Sequence, residues 1–397
     1  MASKMLLPVL LASAVSSSPT PISPPVARQA CSPATDIPST SASLLPNPFT
    51  FADGTDVTTA EQWTCRQEEI LNAFQQYELG DLPGPPDSLE ASLSGNSLSI
   101  SVTVGGASAT FSASISAAGS GASPKGAMIG VGGFSIPVSS DLASITFDND
   151  GFAQQNGGSS RGIGTFYDLH GSDHSAGALA AWAWGISRVI DGLEQLGPDT
   201  TGIDTSRLGV TGCSRNGKGA FVAGALEPRI ALTIPQESGA GGAACWRISD
   251  SEKAAGKNIQ TAEQIVGENV WFSPRFNTWT TQTASLPYDH HMLAGLVAPR
   301  GLYVPENNID WLGPVSTTGC MRAGRLVYEA LGASEHFGFS LVGGHNHCQF
   351  PGSQEGELGQ FVDYFLLGGS TPPEVIDNSE EPVQAADWID WEAPDLS

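Results

Sequence analysis

Apolar positions along this chain fall into short blocks whose period switches between about two and 3.6 residues. Leu98 to Ile115 alternates apolar with polar positions, which predicts a β-hairpin pair with one buried face. Ala127–Val131 is a short continuous apolar run, the mark of a buried strand. Arg207–Gly212, Ile230–Pro235, Pro299–Val304 and Phe337–Val342 read as strands too. Between them the spacing lengthens to that of helices. Trp63, Ile70, Leu71 and Phe74 share one face of Ala60–Tyr77. Trp182, Trp184, Ile186, Val189, Ile190 and Leu193 mark the inner face of Ala176–Leu196. Lys218–Leu226, Arg322–Leu331 and Leu358–Leu367 complete the predicted helices. Strands and helices that alternate over this length predict an α/β chain: a mostly parallel sheet with helices on both faces, a three-layer αβα sandwich.

The two ends depart from that pattern. Lys4, the apolar run Met5–Leu11 and the A-x-A site Ala12-Ser13-Ala14 predict a signal peptide over residues 1–14, and so a secreted, extracellular protein. The apolar run is too short to span a bilayer, which takes about 20 residues. Residues 15–43 are rich in Ser, Pro and Thr and predict a flexible arm. The catalytic body is expected over 44–370. The acidic segment 371–397 is expected to be a poorly ordered tail. No internal repeat is visible.

Charge narrows the partners. The formal net charge is −24, which disfavours nucleic acid and anionic membrane surfaces. Six cysteines behind a signal peptide predict disulfides but leave the pairing open, and no CxxC spacing suggests a metal or redox site. There is no N-x-[ST] sequon. A monomer is the default expectation.

The chemistry concentrates in Leu208-Gly-Val-Thr-Gly-Cys-Ser-Arg-Asn-Gly-Lys-Gly219. A short apolar strand runs into Gly212, Ser214 stands at the turn, and a helix follows. That is the layout of a nucleophile elbow, in which a tight turn presents a serine hydroxyl beside the N–H groups of a helix start. The match to G-x-S-x-G is imperfect, because Asn216 holds the last glycine position and Gly217 comes one later. Phosphate-binding and purely structural turns share this glycine-rich form.

A serine nucleophile needs a base, and the base needs an orienting acid, in the chain order Ser, acid, His. Glu237 follows the predicted strand Ile230–Pro235. His345 and His347 follow the last predicted strand. Glu306 and Asp310, after Gly301–Val304, are rival acids. Cys213 precedes Ser214 and Cys348 follows His347, so a Cys213–Cys348 disulfide would bring His347 beside Ser214, since bridged Cα atoms lie about 5.5 Å apart. This favours His347 over His345. Asp168, His170, Asp173 and His174 read as a polar loop before a helix, and His290-His291 as structural.

The run Gly212-Cys-Ser-Arg-Asn-Gly-Lys-Gly-Ala-Phe221 resembles the signature of the fungal glucuronoyl esterases, carbohydrate esterase family 15. Ala181-Trp-Ala-Trp-Gly185, Gln236-Glu-Ser-Gly239, Ala244-Cys-Trp-Arg247, Asn308-Ile-Asp-Trp-Leu-Gly313 and His347-Cys348 agree with it. The likeness runs from about Pro46 to Leu367. It implies an α/β-hydrolase fold and cleavage of esters between 4-O-methyl-D-glucuronic acid on glucuronoxylan and lignin alcohols. It implies Ser214 as nucleophile, His347 as base, Glu237 as acid and Arg215 at the oxyanion hole. It implies Lys218, Gln260, Glu268 and Trp311 around the sugar ring, no metal or organic cofactor, and the pairs Cys31–Cys65, Cys213–Cys348 and Cys245–Cys320.

Independent support for these roles is uneven. Lys218 lies one helical turn past Ser214 and can flank the same cavity, where a cation suits a uronic acid and a developing oxyanion. A solvated helix residue is its ordinary alternative, and a core aromatic is that of Trp311. Gln260 and Glu268 rest on the resemblance alone. Two other functions compete: an acetyl or feruloyl esterase acting on xylan, and a non-catalytic carbohydrate-binding protein that has kept the fold.

Overall fold

A computed structural model describes residues 32–116 and 123–397. The signal sequence, the arm up to Cys31 and the expected Cys31–Cys65 pair therefore lie outside the described residues.

Among the described residues ten strands form one sheet in the order β1-β2-β3-β5-β4-β6-β7-β8-β9-β10. β1 (Ser88–Ser94), β2 (Ser97–Val104) and β3 (Ala107–Ser116) form an antiparallel meander at one edge, and β3 pairs antiparallel with β5 (Ala143–Phe147). From β5 onward every neighbour is parallel: β4 (Lys125–Val131), β6 (Ile203–Cys213), β7 (Ile230–Gln236), β8 (Gly301–Glu306), β9 (Phe337–Leu341) and β10 (Ile376–Asn378). Parallel strands are covered on both faces, which is why β8 is buried throughout and β4 from its second residue on, while β2 alternates.

The helices Ala178–Leu196, Arg215–Leu226, His290–Val297 and Pro314–Ala330 pack on one face. Their shared core includes Trp182, Ile186, Val189, Phe221, Leu293 and Val327. On the other face Leu358, Phe361, Val362 and Leu366 meet Met128, Leu232, Ile234 and Tyr303 in a second core. Two cores separated by one sheet make the three-layer αβα sandwich of an α/β hydrolase.

The elements differ from the expected ones in length more than in kind. The helix expected from Arg322 begins at Pro314, because Pro at its first turn and the small polar run Ser316–Thr318 hide its start from a hydrophobic count. Thr165–His170 is a short helix where a loop was expected. β1 and β5 were not expected at all.

Both flanking segments need correction. The last part of the arm is docked: Ile37 is buried, Tyr77 Oη donates to Ile37 O at 2.6 Å, and Ala34 N donates to Glu69 Oε1 at 3.1 Å. The acidic tail is docked too. Ile376 lies on β10, whose pairing with β9 extends the sheet. Trp391 Nε1 donates to Leu45 O at 2.9 Å, and Leu396 N to Ala330 O at 2.8 Å. Charge suggested disorder, but Ile376, Val383, Trp391 and Leu396 are spaced so that each buries its side chain. Among the described residues no helix is long and apolar enough to cross a membrane.

Candidate active site

β6 ends at Cys213 and the next helix begins at Arg215, so Ser214 alone makes the turn. It does so at φ 60° and ψ −126°, outside the regions open to an unstrained side-chain-bearing residue. The turn closes only around two glycines. A Cβ on Gly212 would lie 2.4 Å from Asn216 O, and one on Gly217 would lie 2.5 Å from Gln236 O. This explains the departure from G-x-S-x-G: the close approach falls at 217. Asn216 is free to carry a side chain, whose Oδ1 accepts from Asn149 Nδ2 (3.1 Å) and Gln155 Nε2 (3.4 Å). Arg215 opens the helix, so its backbone N–H is one of the donors that a helix start leaves free.

The loop after β9 brings His347 to Glu237. His347 Nδ1 lies 2.7 Å from Glu237 Oε2, and Cys348 N donates to the same oxygen at 3.0 Å. Burial alone would raise the Glu237 carboxyl. These two hydrogen bonds and the neighbouring histidines outweigh it and hold the group below the usual carboxylate range. His347 Nε2 is buried with no hydrogen-bond partner among the described residues, and His347 and Ser214 line the same cavity. His345 is turned away: its Nε2 meets Val342 O at 2.8 Å and its Nδ1 stands 3.8 Å from Glu237 Oε1. Neither rival carboxylate, Glu306 nor Asp310, hydrogen-bonds His347. Glu306 is instead bound to Ser238 and Gly239.

Cys213 and Cys348 are disulfide-bonded with Cα atoms 5.7 Å apart, and Cys245 with Cys320 at 5.2 Å. With both sulfurs committed, the group Cys213, His347 and Cys348 offers no thiolate to a metal. Three described residues other than glycine adopt positive φ: Ser214, Glu237 and Cys348. All three belong to this site, and backbone strain of this kind concentrates where function requires a fixed geometry.

The cavity measures about 430 Å³ and is lined by Val131–Ser135, Cys213–Asn216, Glu268, Trp271, His347 and Cys348. Of the four residues expected around a sugar, Glu268 lines it directly. Gln260 Nε2 donates to Glu268 Oε2 at 3.0 Å. The Trp311 ring stands edge-on to His347 at 4.8 Å. Lys218 is buried: its Nζ donates to Ser238 O at 2.7 Å and lies 5.5 Å from the Trp271 ring centre. Burial pulls its pKa down to about 8, against the opposing pull of the Glu306 and Glu268 carboxyls.

Several participants went unnoticed in the sequence. Trp271 forms part of the wall and donates to Gln155 Oε1 at 2.7 Å, linking the wall to Asn216. Ser135 Oγ donates to Gln236 Oε1 at 2.6 Å, and Gln236 Nε2 to Glu237 Oε1 at 3.3 Å. Gly132-Gly133 after β4 was the one legible signal, since a glycine pair after a strand is where α/β hydrolases place a second oxyanion donor. His170 packs on Phe166 and Trp184, with its pKa lowered to about 4 by burial and by nearby His174 and Arg188. His290 meets Glu78, and His291 meets Pro46 O. None of the three lines the cavity.

Comparison with known proteins gives this geometry a family. The family described as glucuronyl esterase of fungi matches residues 100–332. A 4-O-methyl-glucuronoyl methylesterase of Neurospora crassa is 61% identical over 98% of both chains. The crystal structure of a serine-to-alanine variant of a glucuronoyl esterase from Sporotrichum thermophile, in complex with methyl 4-O-methyl-β-D-glucopyranuronate, superposes with a TM-score of 0.91 at 61% identity. It covers 93% of this chain and 100% of its own. The glucuronoyl esterase catalytic domain from Hypocrea jecorina gives 0.88 at 53% identity, over 91% and 99%. The chain belongs to the fungal glucuronoyl esterase family and is a carboxylic ester hydrolase.

Proposed function

We propose that this protein is secreted and hydrolyses esters between 4-O-methyl-D-glucuronic acid of glucuronoxylan and lignin alcohols, through an acyl-enzyme on Ser214. The observation that carries the reading is the 2.7 Å contact of His347 Nδ1 with Glu237, which leaves Nε2 unpartnered in the cavity that Ser214 enters. Glu237 fixes the imidazole with its proton on Nδ1, so Nε2 is the basic nitrogen.

The steps follow from that arrangement. Ser214 Oγ attacks the ester carbonyl carbon as His347 Nε2 takes its proton. The carbonyl oxygen becomes an oxyanion beside the Arg215 backbone N–H at the helix start, with the Arg215 side chain nearby. Collapse breaks the ester bond, and His347 returns the proton to the leaving alcohol. Water, deprotonated by His347, then attacks the acyl-enzyme, and as the bond to Ser214 Oγ breaks His347 returns that proton to Oγ, freeing the uronic acid and Ser214. Lys218, Gln260, Glu268 and Trp311 hold the sugar. The bound methyl 4-O-methyl-glucopyranuronate of the Sporotrichum enzyme supports a uronate ester as substrate. The pattern of Lys4, Met5–Leu11 and Ala12–Ala14 supports secretion.

The test is release of acid from benzyl glucuronate beside an acetylated or feruloylated xylan. Cleavage of the glucuronate alone, lost in a folded Ser214→Ala variant, is the expected result. Cleavage of only the acetyl or feruloyl ester would overturn the substrate, and retention of xylan with no cleavage would overturn the enzyme reading.

A further inference from the structure

We propose that Glu306 is a positioning residue for Glu237: its buried carboxyl clamps Ser238 and Gly239, fixing the turn that aims Glu237 at His347. The inference rests on Glu237 as the acid of the site.

Glu306 is the last residue of β8 and is 1% exposed. Its Oε1 accepts three hydrogen bonds, from Ser238 N (2.8 Å), Ser238 Oγ (3.0 Å) and Gly239 N (3.2 Å). Other bonds pin the same turn. Glu237 N donates to Pro305 O at 2.8 Å, and Lys218 Nζ to Ser238 O at 2.7 Å. The turn needs this restraint. Glu237 sits at φ 45°, a conformation disfavoured for a side-chain-bearing residue, so packing around it must hold it there. Gly239 follows at φ 51° with no room for a Cβ, which would lie 2.9 Å from Leu312 Cδ2.

The second oxygen shows which form of the carboxyl does this. Oε2 is buried with no hydrogen-bond partner among the described residues. The charged groups that act on it are Glu237 after β7 and Lys218 on the helix after Ser214, while His345 and His347 after β9 act on Glu237 beside it. Lys218 spends its contact on Ser238 O, so no cation bonds Glu306 directly. Burial, and then the charge of Glu237, push its pKa up to about 8 against the pull of the Gly239 and Ser238 donors. With Oε1 filled by three donors, the proton belongs on Oε2. Of two adjacent carboxyls, Glu237 is then ionised and faces His347, while Glu306 stays neutral and holds the turn.

Substitution at 306 in the full chain separates a clamp from a charge. Glu306→Ala removes the clamp, and a displaced turn of this kind lowers kcat by about 100-fold with little change in KM. Glu306→Gln keeps the acceptor and the neutral state, so it restores most of that loss. Stability supplies a readout independent of turnover. Between the ordinary carboxylate pKa of 4.5 and about 8, the folded parent holds a proton that the unfolded chain has lost, so its stability falls as pH rises. The Gln variant lacks that slope, and its melting temperature gains on the parent across this window. A pH-independent difference, or a Gln variant as impaired in kcat as Ala, overturns the proposal. If the Ala variant does not fold, the Gln variant decides on both readouts. A Glu237→Gln chain with undiminished kcat would instead sink the acid assignment, leaving the melting test of Glu306 separate.

Discussion

Cys213 and Cys348 are 135 residues apart in sequence and bonded through their sulfurs, so the residue before Ser214 is tied to the residue after His347. Two loops from different strands thereby share one covalent frame. Cys348 also supplies the N–H that meets Glu237 Oε2, at a strained φ of 64°. The bridge therefore acts on all three members of the proposed triad. A Cys213→Ala/Cys348→Ala chain is expected to lose about 2–5 kcal/mol of stability. Its kcat should fall by more than its folded fraction does. Thermal melts beside active-site titration measure both, and unchanged kcat per folded molecule would mean that the bridge serves stability alone.

Glu237 itself gives a second expectation. Glu237→Gln keeps the shape but removes the charge beside His347, and if Glu237 is the acid proposed above, such a change costs up to about 10⁴ in kcat. The carboxyl is held below its ordinary value, so the folded state binds fewer protons than the unfolded one at acid pH. Its contribution to stability is fully present above pH 4.5 and is lost as pH falls through the depressed folded value. The Gln variant should therefore lose less stability than the parent in that acid window. Melting curves from pH 3 upward, on both proteins, check the sign.

Lys218 is expected to set a pH dependence of opposite kind. Its ammonium is buried and its pKa is lowered to about 8, so above that pH the side chain becomes neutral in the folded enzyme. The unfolded chain stays protonated to its ordinary value of 10.5, so this group's contribution to stability rises with pH between the two. Binding of the uronate should weaken over the same range, as the cation disappears from beside Trp271. KM should thus climb above pH 8 while the fold gains stability. Lys218→Met should show a raised KM at neutral pH and no further climb. A KM that does not distinguish parent from variant would show that Lys218 takes no part in binding the substrate.

Much of the site was readable in the chain because its signals are local or covalent. The strand, small turn and helix around Ser214 form one continuous segment, and the cysteines beside Ser214 and His347 reveal a contact that periodicity cannot. Glu237 could be placed only at a strand end, in competition with Glu306 and Asp310, because the choice depends on where the loop after β9 folds back. Trp271, Gln155 and Asn149 were invisible for the same reason: Asn149 and Gln155 reach Asn216 from a distant segment, and Trp271 from another reaches Gln155. In the fold, the buried strands and amphipathic helices declared themselves. β1 did not, because its burial is only partial and its Ser, Glu and Ala residues resemble a loop. The last part of the arm and the tail were misread because net charge and Ser/Pro content outweighed a few well-spaced apolar residues.

That tail supplies the last expectation. Trp391 is 8% exposed, stands edge-on to Phe49 at 5.9 Å, and stacks near His291 at 6.1 Å. It also donates to Leu45 O, so one side chain closes the C-terminal segment onto the beginning of the body. Upstream, Arg322 pairs with Asp377 at 3.1 Å, and β10 covers what would otherwise be the exposed edge of β9. Replacing a buried Trp by Ala costs about 3–5 kcal/mol. Trp391→Ala should therefore lower the melting temperature sharply, with little effect on kcat or KM, because none of these contacts reaches Ser214, His347 or Glu237. Removal of 373–397 should do more, since it also uncovers the β9 edge and favours association between chains. Melting and light scattering on the two variants test this, and a truncated chain as stable and monodisperse as the parent would show that the docked tail adds nothing to the fold.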